Sequence, residues 1–176
     1  MNKYAGFFKS FAFASALVAM TATAGVASES ERGVTHLTLI QSKPEMHSNA
    51  ANVSHPRDGD STTFYGTLSE NGKPVGYIAL VKVQVRNPSD PGASTMLTKG
   101  EVLRMATITY ELGGNNTIVA SGVTVDALDG MVPRMPEVRA IVGGTGKYEY
   151  ATGHVTTTRE PDGTYRHELD FRIAKP

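Results

Sequence analysis

The chain has 176 residues, and its 17 basic and 17 acidic side chains cancel to a formal net charge of zero. That length suits one domain with a core of its own, and the absence of a basic excess excludes a general nucleic-acid binder. There is no cysteine, which removes disulfides, thiolate metal ligands and a Cys nucleophile together, while 18 glycines and 9 prolines point to a turn-rich, all-β chain.

Residues 1–27 read as a signal peptide. Lys3 and Lys9 give a positive start, FAFASALVAM over 11–20 is apolar, and TATAGVAS offers cleavage after Ala24 or Ala27. The apolar run is shorter than the roughly 20 residues a membrane-spanning helix needs. The expected location is secreted or periplasmic, with no membrane contact after cleavage and a mildly acidic mature chain. Residues 28–60 follow as an N-terminal strand and a polar loop: Val34–Ile40 is rich in β-branched residues, and Gln41–Ser61 has prolines and no periodicity.

Residues 61–176 carry the remainder of the single domain. Thr62–Leu68 runs into Asn71-Gly72, a strong hairpin signal. Pro74–Arg86 is the longest strand, and a Pro/Ser/Gly loop occupies 87–100. Glu101–Leu112 and Thr117–Val125 flank a turn at Gly113-Gly114, and a loop with Pro133 and Pro136 leads to Glu137–Val142. A sharp reversal is expected at Gly143–Gly146, where Gly143, Gly144 and Gly146 free the backbone. Lys147–Arg159, a Pro161-Asp162-Gly163 turn and Thr164–Ile173 complete about eight strands. A closed antiparallel barrel accommodates them without exposed edges.

Alternation assigns faces. Tyr165, His167, Leu169, Phe171 and Ile173 share one side of the last strand, opposite Arg166, Glu168, Asp170 and Arg172. Tyr77, Ala79, Val81, Val83 and Val85 form the apolar face of the longest strand. Val102, Arg104, Ala106, Ile108, Tyr110 and Leu112 align on the next, with one Arg inside an apolar row.

The segment RAIVGGTGKYEYATG, 139–153, resembles the strand–loop–strand signature of dirigent proteins and the related allene oxide cyclase barrels. The hairpin glycines Gly72 and Gly76 and the strand TIVASG (117–122) agree in order, so the resemblance covers roughly 59–173. It implies an eight-stranded antiparallel barrel, commonly oligomeric, whose members steer cyclisation or coupling of small organic molecules. Thr152 stands where plant dirigent proteins usually carry Arg, and their acidic N-terminal motif has no counterpart in Val34–Pro44, so radical coupling is not carried over. The GGTG element reads as a structural turn: a phosphate cradle needs a following helix, and KYEYATGHV is strand-like.

Candidate chemistry rests on polar groups at apolar parity. Arg104 inside the barrel needs an anionic partner or ligand; the alternatives are a place at the barrel mouth or against a partner chain. His167 is a candidate acid or base, with a hydrogen-bonded core histidine as the competing reading. Arg104, His167 and Tyr110 form the candidate catalytic set, and Tyr77, Tyr65 and Tyr165 the candidate ligand-binding set, which also serves as barrel aromatics. The histidines show no metal-site spacing, so no metal and no cofactor are expected. The expected partner is a small-molecule ligand or substrate, and a homo-oligomer is left open. Three functions fit: a cofactor-free cyclase or isomerase, a carrier of an apolar ligand, and a filled structural or interaction barrel.

Overall fold

The computed structural model describes residues 33–50, 57–86, 101–127 and 130–174. The segment expected to be a signal peptide and the expected 87–100 loop lie outside the described residues, as do 51–56 of the expected polar loop. Nine strands run in chain order: β1 Thr35–Gln41, β2 Glu45–Ser48, β3 Ser61–Glu70, β4 Lys73–Arg86, β5 Glu101–Glu111, β6 Thr117–Ala127, β7 Glu137–Thr145, β8 Ala151–Arg159 and β9 Tyr165–Ile173. From β3 to β9 each strand pairs antiparallel with the next. β1 pairs with β9 along its whole length and meets β3 through Ile40–Ser69 and Gln41–Leu68, which closes an eight-stranded barrel. β2 continues along the same edge of β3, from Glu45–Tyr65 to Ser48–Thr62.

Local chemistry accounts for most of these boundaries. Asn71 and Gly72 both take positive φ, 50° and 75°, the type I′ geometry that matches strand twist. Gly113, Gly114 and Asn115 turn the chain between β5 and β6, also at positive φ. Two expectations need correction here. Gly143 and Gly144 belong to β7, where they pair with Val119 and Ile118 beside a bulge. The reversal falls later, in the single 3-10 turn Gly146–Tyr148, and ends where Tyr150 takes a φ of 63°. The last strand pair accordingly begins at Ala151 and not at Lys147. Likewise Glu45–Ser48, read as loop, is strand β2: its side chains are all exposed, so it has no hydrophobic alternation to betray it.

The interior divides along the barrel axis. One half is apolar, filled by Leu39, Leu68, Ile78, Ile108, Ile118, Ile141, Val155, Leu169 and Phe171, with Tyr148 edge-on to Phe171 at 5.7 Å. The other half holds Gln41, Lys82, Gln84, Thr124, Asp126, Arg139, Thr157 and His167, all buried. The faces of β5 and β9 are as the alternation predicts, save that Ile173 at the end of β9 is exposed, whereas β4 is inverted. Its Ile78, Lys82 and Gln84 are buried, while Tyr77, Val81 and Val85 are 50%, 41% and 43% exposed. Both faces of β4 carry apolar residues, and the inward choice is decided by Lys82, which finds carboxylates inside. Tyr77 and Tyr65 therefore stack on each other on the outer wall, centroids 5.7 Å apart, and do not line the interior. Further along the same wall Val83 of β4, Met105 of β5 and Val123 of β6 lie side by side, and Val125 continues this apolar stretch of outer surface.

Candidate functional site

The polar half of the barrel opens on a cavity of about 730 Å³. β2 and β3 contribute Met46 and Phe64, β4 contributes Lys82 and Gln84, and β5 contributes Arg104. The opposite wall is Arg159, the Pro161–Gly163 turn and Tyr165. A space of that size, part apolar and part strongly polar, is ordinary for a small organic ligand.

Behind this wall sits a buried cluster of three cations and two carboxyl groups. Asp126 Oδ2 accepts from Lys82 Nζ at 2.7 Å and from Arg104 Nη1 at 3.1 Å, with the Asp126 side chain fully buried. Arg104 also donates to the Ala127 carbonyl at 3.3 Å. Lys82 Nζ lies 3.7 Å from Glu137 Oε2, which in turn accepts from Arg139 Nη2. The register explains the gathering: Lys82, Arg104, Asp126, Glu137 and Arg139 are inward residues near the same ends of four consecutive strands. Each carboxyl group in the cluster touches two cations, and taking the partner away from a buried charge costs several kcal/mol.

The two carboxyl groups share Lys82, whose Nζ is 2.7 Å from Asp126 Oδ2 and 3.7 Å from Glu137 Oε2, and two carboxyl groups so close in a buried site favour holding one proton between them. Burial, and next the hydrogen bond with Asp126, push Glu137 up to about 7 despite Lys82 and Arg139. Burial works to raise Asp126 too, but the bond from Glu137 and the cations Lys82 and Arg104 outweigh it and hold Asp126 well below the usual carboxylate range. Of the two, Glu137 is the readier to hold a proton.

A second network lies deeper. His167 Nε2 lies 3.0 Å from Gln41 Oε1, an acceptor, so Nε2–H donates to it, and Nδ1, 3.0 Å from both Tyr110 OH and Thr157 Oγ1, accepts from that hydroxyl pair. Burial, and next Arg139, depress His167 to about 3, which keeps the imidazole neutral. Burial raises Tyr110 in the same way. Of the six predicted site residues, Arg104 and Tyr165 line the cavity. Tyr110 and His167 are bonded together in the core, where His167 has the hydrogen-bonded histidine role named as its alternative. Tyr65 and Tyr77 are outside.

Sequence reasoning missed Lys82, Asp126, Glu137 and Arg139. A signal existed for two of them: Asp126 shares parity with Ile118 and Ala120, and Arg139 shares it with Ile141. Opposite charges at apolar parity on neighbouring strands were there to be matched with Arg104. Among the described residues no group of His, Asp and Glu has the geometry of a metal centre. His36 and His154 flank Asp170 on the outer surface as a hydrogen-bonded row away from the cavity.

These features define the class as a closed antiparallel barrel with a cavity in its polar half. Solved structures agree on the fold. A pyocyanin demethylase is 22% identical with a TM-score of 0.59, the match covering 78% of this chain and 99% of that one. A nonspecific heme-binding cyclase that catalyses a [4 + 2] cycloaddition in neoabyssomicin biosynthesis has a TM-score of 0.63 at 15% identity, over 84% of this chain and 70% of that one. The pterocarpan synthase dirigent protein matches at 17% identity with a TM-score of 0.51, over 81% and 86%. The chain has the dirigent and cyclase-like barrel fold. No protein-family model and no curated protein matches its sequence.

Proposed function

We propose that this protein is an exported barrel that takes a small organic molecule into its cavity and acts as a cofactor-independent cyclase or isomerase. The observation that carries the reading is the cavity wall itself, where the cationic groups of Lys82 and Arg104 stand with their carboxylate partners behind them. Such donors are held in place before the substrate arrives, so negative charge developing on a carbonyl or enolate oxygen meets them without reorganisation. Restraint of a flexible substrate lowers a barrier by roughly 7–11 kcal/mol in favourable cases, and one placed donor adds about 3–4 kcal/mol. The neighbours support the choice of ligand class: the names of all three refer to small organic compounds. A carrier without chemistry is the second reading, favoured by His167, whose ring nitrogens are both committed within the core. Association of copies through the apolar stretch of outer surface on β4–β6 belongs to the same proposal.

Mass spectrometry of the protein purified natively from its producer tests the reading, with a co-purifying organic compound expected. Arg104→Met, which keeps the volume and removes the charge, should fold and lose most of that compound or most of its turnover. A normally folded Arg104→Met protein with unchanged ligand content and turnover would refute the role of the wall.

A further inference from the structure

We propose that the cavity takes an organic anion, and that its binding is coupled to the proton held between Asp126 and Glu137. The inference rests on the ligand-binding reading above and adds the charge class of the ligand and the control of its affinity. Three features of the cluster lead there. With one proton shared by the carboxyl groups, Lys82, Arg104 and Arg139 face a single carboxylate charge, so positive charge is in excess next to the cavity. The two cations on the wall, Lys82 and Arg104, both use Asp126 as their partner, so an anion in the cavity competes with Asp126 for them. Asp126 Oδ1, finally, is buried with no hydrogen-bond partner, and a proton on neighbouring Glu137 would supply one.

Consider an anion docking on Lys82 and Arg104. It draws the cations from Asp126 and leaves the two carboxyl groups relying on their shared proton. If that proton is lost, two negative charges lie in contact in a buried site, and both hold the cations back from the ligand. Binding should therefore be strong while the pair is singly protonated and weaken once it is not. The groups facing Glu137 are Lys82 of β4, Asp126 of β6 and Arg139 of β7, with Arg104 of β5 reaching it through Asp126. Tyr165 of β9 feels both carboxyl groups and Arg159 of β8. The Asp126–Glu137 pair therefore sets the profile.

The test uses two fluorescent probes of one ring system on the purified protein: 1-anilinonaphthalene-8-sulfonate, an anion, and N-phenyl-1-naphthylamine, which is neutral. The sulfonate's dissociation constant should be flat below pH 7 and rise by up to roughly tenfold per pH unit above it, as the competent fraction falls. The neutral probe should show no such trend. Glu137→Gln, whose amide N–H replaces the carboxyl proton as donor and cannot titrate, should bind the sulfonate at pH 8.5 as the parent does at pH 5.5. Arg104→Met should weaken sulfonate binding, which separates the cavity from the apolar outer wall. A pH-independent sulfonate affinity, a Glu137→Gln variant that keeps the parent's slope, or sulfonate binding unaffected by Arg104→Met would overturn the proposal. Binding of the neutral probe alone would overturn it while leaving the ligand-binding reading in place. Binding of neither would sink both.

Discussion

Two buried groups titrate in opposite senses, and removing one at a time should uncover a pH dependence of stability that the intact protein conceals. His167 falls from an ordinary 6.5 to about 3 in the fold. As pH drops through 6.5 the unfolded chain gains a proton that the folded chain refuses, so this contribution is present at neutral pH and is lost towards acid. Glu137 rises from 4.5 to about 7. Its contribution is complete below 4.5 and is lost as pH climbs towards 7, because the unfolded chain then ionises first. Between about 4.5 and 6.5 the two slopes oppose each other, each worth about 1.4 kcal/mol per pH unit, and the parent protein should show a nearly flat stability. His167→Gln keeps a donor and an acceptor for Gln41, Tyr110 and Thr157 but cannot titrate. It should lose about 1–3 kcal/mol at every pH from imperfect pairing, yet gain about 2 kcal/mol as pH falls from 6.5 to 4.5. Glu137→Gln should do the reverse and lose about 2 kcal/mol over the same interval. Urea unfolding followed by circular dichroism at pH 4.5, 5.5 and 6.5 measures all three proteins, and the exposed histidines cancel in the comparison. Parallel pH profiles for parent and both variants would refute the opposing-titration argument.

Three further outcomes are expected. Gly153→Ala places a methyl group 2.1 Å from the Asp170 carbonyl oxygen and 2.7 Å from Phe171 Cα across the β8–β9 pair. It should cost more than about 2 kcal/mol, and an unchanged unfolding midpoint would contradict the close approach. If copies associate through the outer wall, a Met105→Glu, Val123→Glu double variant should run as a smaller species by light scattering, and an identical mass for both proteins would count against that interface. Intact-mass measurement of the exported protein should find it beginning at Gly25 or Ser28, whereas a chain retaining residues 1–20 would remove the signal-peptide assignment.

The sequence disclosed the fold where each strand had one apolar face, and misled where it had two. In β9 the split between His167, Leu169, Phe171 and the charged residues between them leaves only one way in. β5 is similar, and its intruding Arg104 correctly marked a polar interior. In β4 valines occupy one face and Ile78, Leu80, Lys82 and Gln84 the other. A rule that buries the more apolar face picks the valines, because it assumes a uniformly apolar barrel. Burying Lys82 becomes favourable only with Asp126 opposite it, 44 residues away in the chain, and no local pattern contains that pairing. The site was half legible for the same reason: Arg104 stood out within one strand, whereas its meaning depends on partners from three others. His167 was found by parity, but its role follows from Gln41, whose contact with it spans 126 residues.

The seam of the barrel has a consequence for how the chain reaches its fold. Seven strands, β3 to β9, form a meander in which every pairing joins sequence neighbours, so that sheet can grow from local hairpins. β1 has no such neighbour. Apart from two residues against β3, its partner is the last strand, with Thr35 opposite Phe171 and Gln41 opposite Tyr165. Joining such distant segments carries the largest loop-closure entropy in the molecule, and non-local pairings of this kind slow folding. Leu39 and the Gln41–His167 bond thus lock into place only after the final strand has been made. The N-terminal strand is the first part of the barrel to be synthesised, and it waits for nearly the whole chain before it can be buried.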